Sequence, residues 1–192
     1  RHRWVIRTMA LGLGLTQALH IDKLLPSRLT AGTPRVSLRG MREHVPTELG
    51  SGPHAALLTG CVMNVAFRPV HGATMRLLAQ AGYRATTPAP GGCCGALAAH
   101  YGQPRAAQRM ARERIVEFED ADVVVVNSAG CSAHMKMYGD VLADDPVWAE
   151  RAARFATRVR DLLEIERRRR LVGRVRVEEV EPAEEGPRRI AP

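Results

Sequence analysis

A chain of 192 residues that is 45% hydrophobic has the material for one ordinary domain plus flanking segments, which excludes a disordered, collagen-like or mucin-like polymer. Aromatics at 4% leave the core to Ala, Val and Leu and supply no stacking platform for single-stranded nucleic acid. The net charge of +8 lies outside the middle of the chain (residues 1–60 carry +5, residues 61–146 are neutral, residues 147–192 carry +3), and with no zinc-finger or helix-turn-helix signature no nucleic-acid partner is expected.

Residues 3–24 predict a helix. Its apolar run, Met9 to Leu15, is far shorter than the roughly 18 residues that span a bilayer. Arg7 interrupts the basic-then-apolar start and no small-residue cleavage site follows, so a helix packed on neighbouring protein is expected in place of a secretory signal. Residues 25–53 are rich in Pro, Gly, Ser and Thr and read as a linker, so that 1–53 forms an N-terminal helix and linker.

The globular part is expected at 54–170. His54 to Thr59 is an apolar run with the character of a buried strand. Asn64 to Gly82 then places Val70, Thr74, Leu77, Leu78 and Ala81 at helical spacing, with Gly82 as the stop. Tyr83 to Thr87 predicts a second strand running into the turn-rich segment Pro88 to Gly95. Pro104 to Phe118 is an amphipathic helix with Ala107, Met110, Ala111, Ile115 and Phe118 on one side. Asp122 to Val126 reads as a third strand, apolar enough to be buried on both faces of a parallel sheet. A short helix over 133–142 and a long one from Val147 to about Arg169 complete the unit, and residues 171–192 read as a linker. The alternation predicts an α/β fold, a small parallel sheet flanked by helices in Rossmann-like layers.

The four cysteines, Cys61, Cys93, Cys94 and Cys131, each fall just beyond the C-terminal end of a predicted strand, where ligands bind in open parallel sheets. Two disulfides fit badly, since adjacent Cys93 and Cys94 bridge only through a strained ring and nothing marks a secreted, stapled domain. Thiolates suit zinc or an iron–sulfur cluster. Structural zinc usually takes paired C-x2-C knuckles, absent here, whereas adjacent cysteines diverge and are better placed on two irons of a cluster. Helix starts after Cys61, Cys94 and Cys131 are expected to lower the thiol pKa values.

Gly60-Cys61, then Gly92-Cys93-Cys94-Gly95-Ala96-Leu97 with His100 and Gly102, then Ser128-Ala129-Gly130-Cys131 with Tyr138-Gly139, resemble the cysteine-rich CCG domain, and most of all the first CCG module of glycolate oxidase iron–sulfur subunits. The similarity is dense from about 55 to 165. In that family two ferredoxin-type clusters precede this region and a second CCG module follows; neither pattern occurs here, and residues 174–190 resemble the connecting linker, so the chain reads as an internal fragment. The resemblance implies a 4Fe-4S type cluster on the four cysteines, with zinc as the alternative. It implies electron transfer from a flavoprotein partner that carries FAD to a quinone or other acceptor, in the cytoplasm or at most peripheral at the inner membrane face. A lactate-utilisation or heterodisulfide-reductase-like role is the alternative within the family, and a zinc-bound docking domain the alternative outside it.

The fuller family pattern ends in C-x2-C, whereas this chain has Cys131-Ser132-Ala133-His134, which offers His134 as a further ligand one helical turn on. His100 follows the cysteine loop closely enough to support a ligand from behind or else to lie on the helix surface, His71 reads as an ordinary helix residue, Arg167 to Arg170 as a solvated helix end, and no residue is recognised as catalytic.

Overall fold

The computed structural model describes residues 3–24, 26–30, 36–88 and 92–171. The predicted linker 171–192, apart from Leu171, lies outside them, as do the centre of the turn-rich segment at 89–91 and the side chains of residues 168–170. The described elements are helices α1 (Arg3–Ala18), α2 (Ser27–Thr30), α3 (Met63–Ala66), α4 (Arg68–Gln80), α5 (Ala96–His100), α6 (Pro104–Glu117), α7 (Ala129–Lys136), α8 (Tyr138–Val141), α9 (Ala149–Ala156) and α10 (Leu162–Leu171). The strands are β1 (Glu48–Leu49), β2 (His54–Leu58), β3 (Arg84–Thr86), β4 (Val123–Val126) and β5 (Val159–Asp161). No helix among the described residues is long and apolar enough to cross a membrane.

The strands form one sheet in the order β1-β3-β2-β4-β5. All neighbours are parallel except the edge pair β1 and β3. The run of valines in β4 is buried because helices cover both sides. Ala56, Leu58, Val124 and Val126 pack with Ala111, Ile115, Phe118, Met135, Tyr138 and Phe155 of the α6–α9 layer. Ala55, Leu57 and Val125 pack with Met75 and Leu78 of α4 and Ile165 of α10. Side chains that alternate between two covered faces explain why these strands carry no polar face. At the opposite edge from the cysteines, His54 ties down the start of β2: its Nε2 is 2.8 Å from Thr86 Oγ1, its Nδ1 3.0 Å from the Asp120 carbonyl, and its amide donates to Asp122 Oδ2 at 2.8 Å.

The α/β architecture and parallel sheet agree with the expectation; four local features differ. β1 lies inside the predicted linker, and with only two residues it offers no pattern to read. The helix expected over 64–82 breaks at Phe67, because Pro69 has no N–H to continue the ladder from α3. Its buried stripe is also turned by about one residue: His71, Thr74, Met75 and Leu78 face inward, while Val70 and Leu77 are exposed. The helix expected from Val147 to Arg169 is split by β5, whose pairing covers the free side of β4, with Val124 N–H donating to the Arg158 carbonyl at 3.0 Å. Backbone groups left open along a buried strand cost more than an interrupted helix.

On α1, Gln17 Oε1 accepts from the Val36 amide at 2.9 Å, while Trp4, Met9 and Leu15 are exposed. Because Leu57 and Leu78 are buried in the α4 and α10 layer, truncation of either to Ala is expected to cost about 2–5 kcal/mol of unfolding free energy. Urea denaturation followed by circular dichroism checks this.

Candidate metal centre

β2 and β4 are neighbours, with Leu58 opposite Val126 at the end of their register, and β3 lies on the other side of β2. The chain leaving β2 turns to the α4 face and the chain leaving β4 to the α7 face. The sheet order reverses there, and a crevice opens beyond the two strand ends. Cys61 stands on the turn into α3, Cys131 in the first turn of α7, and Cys93 and Cys94 on the segment entering α5. All four line one cavity of about 280 Å³, with Leu58, Val126 and Leu97 in its apolar wall. None is disulfide-bonded.

The sulfurs are linked in a row. Cys61 Sγ is 3.9 Å from Cys93 Sγ, and Cys94, the most buried, has its thiol influenced by both Cys131 and Cys93. Gly95 adopts φ 91, a left-handed conformation that costs glycine little, and its amide turns back to donate to Cys93 Sγ at 3.4 Å. Ser128 helps to lower the Cys131 thiol, and Tyr138 donates its hydroxyl to the Cys94 carbonyl at 2.6 Å.

These contacts divide the thiols into donors and acceptors. The hydrogen bond to Cys93, then burial, pushes the Cys61 thiol up. Cys94 is pushed up by its bonds to Cys131 and Cys93, then by burial. Cys93 is pushed down, first as partner of Cys61 and then of Cys94, against burial and with help from the Gly95 amide. Cys131 drops to about 7, chiefly through its bond with Cys94. The expectation that helix starts lower three of the thiols is therefore corrected: two of them rise, and contacts between sulfurs decide which carry anionic character. Cys131 also lies inside its helix, because α7 begins four residues earlier than the helix expected at 133–142.

His134 is not among the residues lining the cavity. It is buried, edge-on to Tyr138 with ring centroids 5.6 Å apart. Its Nε2 has no hydrogen-bond partner among the described residues, and burial lowers its pKa. His100, for which the sequence leaves open a supporting role at the site or a place on the helix surface, is exposed and lines the cavity. His71 is the larger departure, being fully buried. Asn127, at the end of β4, donates its amide to His71 Nδ1 at 3.3 Å and to Thr74 Oγ1 at 3.0 Å, and so pins the start of the β4–α7 turn to α4. Helical spacing marks His71 and Thr74 as neighbours on one face of α4, but their partner comes from a distant strand.

The donor set fits a soft metal group. Among the described residues no three or more His, Cys, Asp or Glu side chains converge as the ligands of a single ion do. Cysteine thiolates are ligands of both tetrahedral zinc and iron–sulfur clusters. Backbone N–H and hydroxyl donors aimed at the sulfurs are the outer contacts that orient such ligands.

Two outcomes are expected. Tyr138→Phe leaves the buried Cys94 carbonyl without its donor and lowers stability by about 1–3 kcal/mol in thermal denaturation. Burial holds His71 below the usual imidazole range, so the unfolded chain binds more protons as pH falls. Its contribution is complete above about pH 6.5 and is lost as pH drops from there toward the depressed value. Urea midpoints measured from pH 8 down to 5.5 are expected to decline, and to decline less in His71→Gln.

Comparison with known proteins agrees with this geometry. Residues 55–136 match the cysteine-rich domain, CCG, which includes all four cysteines and His134. The chain is 37% identical over 148 residues to "Probable glycolate oxidase iron-sulfur subunit" of Bacillus subtilis, an alignment covering 72% of this chain and 33% of that protein. It is 32% identical over 125 residues to "Lactate utilization protein A" of Geobacillus thermodenitrificans, covering 65% of this chain and 50% of that one. The protein of the same name from an Exiguobacterium species is 34% identical over 112 residues, covering 57% and 46%. The chain thus spans between a third and a half of the length of these relatives. No solved structure matches it. The match over residues 55–136 shows that the chain carries a CCG cysteine-rich domain.

Proposed function

We propose that the chain is the cluster-bearing part of an iron–sulfur electron-transfer subunit serving the oxidation of a 2-hydroxyacid of the glycolate type. The observation that carries this reading is that all four cysteines line one cavity where the strand order reverses. Cys61, Cys93, Cys94 and Cys131 are assigned as the ligands, and residues 54–170 as the unit that presents them. His134 is left outside the ligand set, because it does not line the cavity. The bound group supplies one-electron carriage, most simply as a 4Fe-4S type cluster.

The chain's own residues bind and tune. Gly95 orients Cys93, the apolar wall lines the cavity beside the sulfurs, and Tyr138 fixes the backbone of Cys94. Removal of hydrogen from the substrate is assigned to a flavoprotein partner carrying FAD. Electrons then pass to a quinone or other acceptor. The similarity to lactate utilization proteins favours lactate as the second substrate reading.

The complete protein, purified anaerobically, is expected to contain iron and acid-labile sulfide, and to lose both in Cys93→Ser or Cys94→Ser, because a serine alkoxide replaces thiolate poorly on iron. Stoichiometric zinc without sulfide would establish a zinc-bound docking domain instead. In the assembled complex, Cys93→Ser should abolish glycolate-dependent reduction of the final acceptor while glycolate still reduces the flavin, both followed by stopped-flow absorbance. Loss of both in an intact complex contradicts the relay.

A further inference from the structure

Arg114 is out of place by composition. It sits in the last turn of α6, whose inward face is otherwise built from Ala107, Ala111 and Ile115, yet it is only 9% exposed. Arginine is almost never buried unless paired. Its Nη1 lies 2.8 Å from Glu117 Oε2, one turn on, and Glu113 stands at 4.0 Å. The Glu117 contact lacks the geometry of a hydrogen bond, so Nε and Nη1 make no hydrogen bond among the described residues. A buried guanidinium held by so few contacts is expensive.

Its place explains its presence. The guanidinium fills the space that a Cβ at position 92 would take, so it lies directly on the backbone of Gly92, the residue before Cys93. The same turn is held at its other end by the Tyr138 hydroxyl on the Cys94 carbonyl and by the Gly95 amide on Cys93 Sγ.

We propose that Arg114 is the positioning residue of the Gly92–Gly95 turn, seating Gly92 and placing a fixed positive charge beside the cysteine pair that offsets the negative charge of a thiolate-ligated cluster. This rests on the iron–sulfur reading above. Reduction adds one negative charge to such a group, and a nearby cation stabilises the reduced form. Glu117, which shares the guanidinium, opposes it. Arg114 and Glu117 therefore act on the reduction potential with opposite signs, which a merely structural role does not produce.

The test is a spectroelectrochemical titration of the complete protein. In Arg114→Met the ratio of oxidised to reduced cluster at a fixed ambient potential is expected to rise at least about tenfold, the size of one charge about 12 Å away at an effective dielectric of about 20, a nearer charge giving more. Arg114→Lys is expected to retain most of the parent value, and Glu117→Gln to shift the ratio the other way. An unchanged potential in loaded Arg114→Met, or shifts of the same sign in the Met and Gln variants, overturns the electrostatic role. If Arg114→Met does not fold, Arg114→Lys and Glu117→Gln carry the comparison.

The seating role has its own readout in the metal-free protein. Amide hydrogen exchange over Gly92–Gly95 is expected to accelerate in Arg114→Met and to stay near the parent rate in Arg114→Lys, and equal rates in all three overturn it. Failure of the unsubstituted protein to take up iron and sulfide counts against the iron–sulfur reading, and the exchange measurement still decides the seating of Gly92.

Discussion

The parallel pairing of β2 with β4 is the constraint on which the site depends. With Leu58 opposite Val126, the two chains emerge side by side and part to opposite faces of the sheet, one into α3 and α4 and the other into α7. Cys61 follows the first end by three residues and Cys131 follows the second by five, so the register brings two sulfurs to one crevice. A slip of one residue would turn Ala56 and Leu58 from the α6–α9 layer into the α4 layer and uncouple the two turns. Burial on both faces of β4 is what prevents the slip.

The cysteine pair arrives by another route, on the segment between β3 and α5, and has no strand to fix it. Side chains from the α6–α9 layer do so instead. Tyr138 is fully buried, stacks on Phe155 with ring centroids 5.5 Å apart, and uses its one polar atom on the Cys94 carbonyl. A tyrosine in a core needs a partner for its hydroxyl, and here the partner is the backbone of the metal-site turn. The stability of the α6–α9 layer and the geometry of the site are therefore coupled through one side chain.

Electrostatics in the cavity follow from the same crowding. Burial opposes charge on every thiol, yet contacts with neighbouring thiols hold Cys93 and Cys131 low. The site is thus prepared to present anionic sulfur in an apolar pocket, the condition a soft metal group requires. Burial lowers the pKa of both His71 and His134.

The fold class, the three main strands and the cysteine cluster were legible in the sequence because each rests on a local pattern: an unbroken apolar run such as Val123 to Val126, or cysteines beside glycines just past a strand. What required the tertiary structure were pairings with no local signature. β5 is a strand because the free side of β4 needs a partner, although its residues continue a helical pattern. His71 faces inward because Asn127, far away in sequence, offers its amide. Arg114 is buried because a glycine in another loop leaves room for it. Residue types and their spacing determine which chemistry is available, and three-dimensional contact decides which sulfur carries charge and what holds it, because hydrogen bonds and desolvation act through space whatever the separation along the chain.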